Sequence, residues 1–239
     1  MRKFIISLIF SCLPLLCVAQ GVITRPTKPS KPTAPVSRPA RPNKPSKPAK
    51  PTVPNLSVSS PDAYVSGHGY VDLGLSVKWA TCNVGAFSPS DYGDYFAWGE
   101  TSIKWEYTTE NSRTRGKTMG GIAGNSSYDA ARANWGGSWR LPTKAECEEL
   151  YNRCTWTWGR QNGHNGYRVK GPNGKSIFLP AAGWRNGTTL SDAGEYGRYW
   201  SSAPHEDSSS AYGLYFYSGS RSVDWRYRNV GYSVRPVSE

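Results

Sequence analysis

Between Arg25 and Asn55 a proline returns at almost every third position: Pro26, Pro29, Pro32 and Pro35, then Pro39, Pro42, Pro45, Pro48, Pro51 and Pro54. Each ring fixes φ near −65° and removes an amide donor, so neither a helix nor a central strand can form there. Each also drives the preceding residue to extended geometry. The expected conformation is polyproline II, with three residues per turn. A three-residue period puts the prolines along one edge and the Lys or Arg that precedes most of them along the next. At ~3.1 Å per residue the stretch reaches on the order of 90 Å, and its like charges oppose collapse.

That stalk also explains the charge of the chain. Residues 1–60 hold ten basic residues and no Asp or Glu, whereas the whole chain holds 29 basic and 17 acidic residues. The remainder, 19 basic against 17 acidic, is close to neutral. A basic isoelectric point can signal nucleic-acid binding, but here the charge sits on a spacer, so nucleic acid is not an expected partner. The cations suit either a solvated spacer, a salt-sensitive contact with an anionic cell-envelope polymer, or a ligand for an aromatic groove in a partner.

Ahead of the stalk, Arg2 and Lys3 precede an apolar run from Phe4 to Val18 and the small Ala19. That run is shorter than the ~20 residues of a membrane span and carries the order of a secretory signal peptide. The expected organisation is a signal peptide at 1–19, a basic Pro-rich linker at 20–61 and one domain at 62–239. The chain is read as exported (periplasmic, on the outer surface, or secreted), with no transmembrane span after cleavage.

Within the domain, Val71, Leu73, Leu75 and Val77 alternate with Asp72, Gly74 and Ser76, the period of a half-buried strand. Tyr167–Lys170 and Ser176–Pro180 flank Gly171-Pro172-Asn173-Gly174, a hairpin signal. Tyr212–Tyr217 and Asp224–Tyr227 form another strand pair, and 231–237 a last strand. Thr143 with Glu146 makes a capping box that starts a helix, with Cys147, Leu150, Tyr151 and Cys154 on its inward face. A second short helix is expected over 128–134, capped by Ser126 or Ser127. The fold class expected is α+β.

These elements sit in recognisable blocks. His68-Gly-Tyr-Val-Asp-Leu-Gly-Leu-Ser-Val-Lys-Trp-Ala-Thr-Cys-Asn-Val-Gly-Ala86 comes first, then Asp91-Tyr-Gly-Asp-Tyr-Phe-Ala-Trp-Gly-Glu100. Trp139-Arg-Leu-Pro-Thr143, Leu179-Pro-Ala-Ala-Gly183, Tyr199-Trp-Ser-Ser202 and Gly231-Tyr-Ser-Val-Arg-Pro-Val237 follow. In this order, over about residues 67–237, the chain resembles the Fibrobacter succinogenes major paralogous domain, common in surface and secreted proteins of the Bacteroidetes. The Arg-Leu-Pro-Thr start and the Val-Arg-Pro-Val ending are more distantly similar to formylglycine-generating-enzyme and C-type-lectin-like folds. The fold this implies is C-type-lectin-like, with few short helices, twisted antiparallel strands and long irregular loops. The first resemblance implies no particular activity.

Of five cysteines, Cys12 and Cys17 leave with the signal peptide, so Cys82, Cys147 and Cys154 remain. An odd count allows one bridge and one free thiol, or three reduced thiols. Cys147 and Cys154 would stand ~10 Å apart along a continuous helix, beyond the ~7 Å a disulfide spans. The resemblance implies Cys82 with Cys154. The spacing does not suit zinc, and no cofactor is expected. Formylglycine-type chemistry would need a cysteine pair in the C-terminal part of the domain, and no cysteine follows Cys154. The calcium-site motifs of C-type lectins are absent as well.

His68, His164 and His205 lie among Gly, Asn and Ser and read as solvated loop residues without a nucleophile elbow nearby. Asp94 with Glu100, and Asp192 with Glu195, are close enough in sequence to serve as paired carboxylates, but turn-rich surroundings favour capping roles. The strongest compositional signal is aromatic: ten Trp and fifteen Tyr. Trp79, Trp98, Trp135, Trp139 and Trp200 are expected core anchors. Trp184, Arg185 and Asn186, the loop residues Asp192, Glu195 and Tyr196, and Trp225, Arg226 and Tyr227 combine stacking rings with polar neighbours and form the candidate ligand site. The function expected is a non-enzymatic binding module on a stalk, for glycan or cell-envelope polymer. The alternatives are an adhesin-like or structural surface protein that binds another protein, and a carboxylate-dependent glycoside hydrolase.

Overall fold

The computed structural model describes residues 52–239. The signal peptide read at 1–19 and residues 20–51 of the linker lie outside the described residues. Strands β1 (Ala63–Val65), β2 (His68–Val71) and β3 (Lys78–Ala80) form an antiparallel meander. Its outer edge is closed by β12 (Val237–Ser238), from the other end of the chain. Helices α1 (Ala130–Trp135) and α2 (Lys144–Arg153) come next. Then follow the antiparallel sheet of β4 (Thr155–Gln161), β5 (His164–Lys170) and β6 (Ser176–Pro180), and the hairpin of β7 (Trp184–Asn186) and β8 (Thr189–Ser191). The last sheet joins β9 (Tyr196–Pro204), β10 (Ser210–Tyr217) and β11 (Ser220–Tyr227), with β10 in the middle.

The expectation of an α+β, C-type-lectin-like fold is therefore corrected. Among the described residues there are four separate sheets and only two helices, of six and ten residues, so the fold is β-rich. The reason lies in the local sequence. Runs of good helix formers are confined to Ala130–Ala133 and the segment after Thr143, while many of the strands are rich in aromatic and β-branched residues.

Helix α2 starts as its capping box requires. The Thr143 hydroxyl accepts from the Glu146 N–H at 3.2 Å, and Glu146 accepts from the Thr143 N–H at 2.8 Å. Cys147 and Leu150 face the core. Helix α1 begins later than expected, and Asp129 caps it rather than a serine. The Asp129 carboxylate is buried and accepts four backbone N–H groups, from Ala131, Arg132, Gly124 and Leu141. Burial raises its pKa even though those four donors oppose the shift.

The alternating run from Val71 to Val77 is not a strand. Residues 72–77 form a loop, because Asp72 accepts from the Gly74 N–H at 2.7 Å and Gly74 takes φ 72°. Val71, Leu73 and Val77 are nonetheless buried, so the pattern reported burial correctly and geometry wrongly. The β5–β6 hairpin forms as expected, with Tyr167 opposite Leu179 and Val169 opposite Ile177. Ahead of the drawn boundary at residue 62, a strap over 54–59 bonds to this sheet. Arg160 N–H donates to the Pro54 carbonyl at 2.7 Å, and Ser59 N–H to that of Ser176 at 3.1 Å. Leu56 is buried over Gly159, where a Cβ would come within 2.5 Å of it.

The expected last strand is instead a buried ribbon. Residues 231–238 are nearly all buried, and only 237–238 pair as a regular strand. The rest make single bridges to separate segments: Gly231 to Arg185, Tyr232 to Phe96, Ser233 to Tyr199. Arg235 stands in the middle of the ribbon, fully buried. Its Nε donates to Asn83 Oδ1 at 2.8 Å, Nη1 to the Ala80 and Thr81 carbonyls at 3.0 and 2.9 Å, and Nη2 to the Phe178 carbonyl at 3.0 Å.

Replacing Arg235 by Met should lower unfolding free energy by about 3 kcal/mol or more, since several hydrogen bonds to a charged group are lost and buried carbonyls are left unpaired. Urea unfolding checks this. A loss below about 1 kcal/mol would mean that the guanidinium is not what joins these segments.

Candidate functional site

The β9–β11 sheet carries the most concentrated chemistry in the domain. Its register sets Tyr215 between Arg198 and Ser222, and Tyr217 between Tyr196 and Ser220. Alternation then sends Tyr199, Leu214 and Phe216 into the core, where they are buried. The other face presents Tyr196, Arg198, Tyr215, Tyr217, Asp224 and Arg226. Tyr196 stacks on Tyr215 with centroids 5.7 Å apart and lies 5.3 Å from Tyr217. Trp184, at the start of β7, meets Tyr196 edge-on at 6.1 Å. The four rings form one continuous aromatic platform.

Two guanidinium groups are threaded through it. Arg198 sits 3.3 Å from the Trp184 ring centroid, 5.2 Å from Tyr215 and 5.6 Å from Tyr232, and donates to the Tyr232 hydroxyl at 3.0 Å. Its Nε is buried and has no acceptor among the described residues. Arg226 lies 4.8 Å over Tyr215 and donates to Asp224 at 3.0 Å. Burial pushes the Asp224 pKa up, but the Arg226 and Trp225 donors outweigh it and hold the carboxylate below its ordinary value. Burial raises the Tyr215 pKa, keeping that hydroxyl neutral. The face thus offers flat apolar rings with N–H and O–H donors and one carboxylate acceptor.

The structure unites only part of the candidate site read from the sequence. Trp184, Tyr196 and Arg226 belong to the platform. Trp225 and Tyr227 point to the opposite face of the same sheet, because neighbours along a strand alternate. There Trp225 lies 5.6 Å from His205, and Arg115 is 4.7 Å over Tyr227. Arg185 turns towards Tyr95 at 5.4 Å, and its backbone bonds to Gly231 in both directions. Asn186 is exposed on β7. Asp192 and Glu195 are exposed in the turn before β9, where the Asp192 carbonyl accepts from the Glu195 and Tyr196 N–H groups. Arg198, Tyr215 and Tyr217 escaped the sequence reading. The signal that could have found them was the alternation of Tyr215 and Tyr217 with Leu214 and Phe216, which marks a strand with rings on both faces.

A second concavity, a cleft of about 670 Å³, lies between β2, α1 and the loop after β3. His68 stacks on Trp135 at 3.7 Å, nearly parallel, while Tyr64 and Phe87 stand exposed at the rim. Burial holds the His68 pKa below the usual histidine value. The loop reading of the histidines is corrected for two of them. His68 is in β2, and His164 is in β5 with Nδ1 2.5 Å from the Ser90 carbonyl. Of the five expected core tryptophans, Trp79, Trp98, Trp139 and Trp200 are fully buried and Trp135 is half-buried against the cleft. Glu100 is buried beside Lys104 at 3.0 Å and accepts from the Arg113 N–H, a structural role.

The Cys82–Cys154 bridge implied by the resemblance is not formed: Cys82, Cys147 and Cys154 are all free thiols. Cys82 lines the cleft and Cys154 belongs to the main core, so each is held by different neighbours. Burial pushes the Cys154 thiol up to about 11 and that of Cys147 higher still.

Among known families, one whose description is "Domain of unknown function (DUF8237)" matches residues 158–237. That span runs from within β4 to β12 and takes in the β5–β6 hairpin, the aromatic platform and the buried ribbon. No curated protein and no solved structure matches the chain.

The thiol assignments give a direct expectation. Iodoacetamide applied to the native protein at pH 8 should modify Cys82, while Cys147 and Cys154 react only after denaturation. Peptide mass mapping checks this, and joint protection of Cys82 and Cys154 that persists in denaturant until a reductant is added would restore the disulfide.

Proposed function

We propose that this chain is an exported binding module that recognises glycan through the aromatic platform of the β9–β11 sheet. The observation that carries the reading is the run Trp184–Tyr196–Tyr215–Tyr217 with Arg198, Arg226 and Asp224 between the rings. A pyranose ring has an apolar C–H face that stacks on an aromatic face. Its hydroxyls then need donors and acceptors at the edge, which the two guanidinium groups and the carboxylate supply. The four rings run in a row along one sheet face, which suits an extended polymer lying across them better than a small molecule enclosed in a cavity.

A binding role is favoured over hydrolysis by the same residues. Glycosidic cleavage uses two carboxyl groups about 5–10 Å apart, and the acidic side chain named on this face, Asp224, is already engaged by Arg226. In this reading the basic stalk holds the module away from the envelope, with a cell-envelope polymer as a second contact. A second reading, a protein partner, is favoured by the opposite face of the sheet. Trp225 and Tyr227 are 43% and 50% exposed there, beside Arg115, and these residue types dominate protein-interface hot spots.

A glycan array with the full chain should return binders, and Tyr215→Ala or Tyr217→Ala should weaken the best of them by about tenfold each, the effect of losing one stacked ring. Trp225→Ala should leave glycan binding intact. Binding that survives both tyrosine changes, in proteins whose melting temperature is unchanged, would contradict the platform assignment.

A further inference from the structure

The strap over 54–59 crosses the outer face of the β4–β6 sheet and leaves a pocket of about 290 Å³ beneath it. Its lining comes from two sides. Arg168 and Lys170 rise from β5, two residues apart and so on one face. Ser57 and Ser59 come from the strap. No Asp or Glu lines the pocket.

Neither cation has a counter-ion among the described residues. Arg168 and Lys170 make no ion pair among the described residues, although seven other pairs form. The Arg168 Nε is buried and has no acceptor among the described residues. The N-terminal part of the chain cannot supply one as a carboxylate, because residues 1–60 contain no Asp or Glu. The neighbouring Lys175, by contrast, is paired with Asp62 at 2.5 Å. A buried donor left without an acceptor costs about 1–3 kcal/mol, and two unpaired cations side by side add repulsion.

The hydroxyls point to the same kind of ligand. Ser59 Oγ accepts from the Ser176 N–H at 2.9 Å, which leaves its own hydrogen to be donated. Cations on one wall and hydroxyl donors on the other require an acceptor that faces both ways. A tetrahedral oxyanion presents oxygens on all sides, whereas a carboxylate presents them on one.

We propose that this pocket is a binding site for a phosphate or sulfate group, free or carried as an ester, held by Arg168 and Lys170 on one side and the Ser57 and Ser59 hydroxyls on the other. The site lies on a different sheet from the aromatic platform and does not depend on glycan recognition there.

Titration of the full chain followed by nuclear magnetic resonance tests this, because site-resolved shifts separate the pocket from the basic stalk. At constant ionic strength, inorganic phosphate or inorganic sulfate should move the Arg168 Nε–H and the Ser57, Ser59 and Ser176 amides in a saturable way, and acetate should not. Lys170→Gln, an exposed change that leaves the fold intact, should weaken binding about tenfold, the loss of one charge-assisted contact. Arg168→Gln should abolish it. A monosaccharide 6-sulfate or 6-phosphate that binds more tightly than the inorganic ion marks the ester as the preferred ligand; equal binding marks the free ion, and either result upholds the site. Shifts that spread over the stalk without saturating, an equal response to acetate, or an unchanged affinity in Lys170→Gln would overturn it.

Discussion

The Arg235 guanidinium is the contact on which the other parts converge. It is buried without a carboxylate, and its charge is met by the Ala80, Thr81 and Phe178 carbonyls and the Asn83 side chain. Those acceptors belong to β3, the loop after it and β6, which no sheet joins to one another. Taking a charge out of water costs several kcal/mol, and only a complete set of dipoles offsets it. Burial accordingly holds the Arg235 pKa below the ordinary arginine value. Arg228 repeats the device. Buried over the Trp98 ring at 4.4 Å, it donates to the Ser210, Thr114 and Lys117 carbonyls.

This arrangement explains how four small sheets and long loops make one domain. No sheet is large enough to organise the rest, so the buried ribbon at 231–238 does that work through single bridges and one cation. The same ribbon steadies the platform from behind. Trp200 stacks on Tyr232 at 4.3 Å, and the Tyr232 hydroxyl receives Arg198, which in turn lies over Trp184. A face held this way is pre-ordered, the condition under which the proposed binding would lose little conformational entropy. The family match at 158–237 covers both the ribbon and the platform.

What could be read from sequence depended on the range of the interactions. Helix α2 was legible because Thr143 and Glu146 are three residues apart, and the β5–β6 hairpin because its turn residues are contiguous. Four of the five tryptophans taken as core anchors are fully buried, whereas Trp105 is exposed, so size and hydrophobicity favour the interior without deciding it. The run 71–77 deceived because the same alternation serves a half-buried loop braced by Asp72 and Asn173. The candidate residues are brought together only in part for a related reason. Trp184, Tyr196 and Arg226 meet across three strands, and only the register sets Tyr196 opposite Tyr217. Trp225 and Tyr227 were grouped with Arg226 by adjacency, yet strand alternation puts them on the other side. The α+β expectation failed because it was drawn from local helix and strand signals, and its C-type-lectin-like refinement from short sequence blocks, while pairing between distant segments decides the architecture.

If the ribbon and its guanidinium unify the domain, its hydrogen bonds should open only when the whole domain opens. Native-state hydrogen exchange on the full chain measures this at the amides of Ala80, Val84, Trp200, Tyr232 and Val237, each bonded to or within the ribbon. The account predicts one common opening free energy, equal to that of global unfolding. A separate, lower value for the ribbon amides, with the β9–β11 sheet still protected, would contradict it.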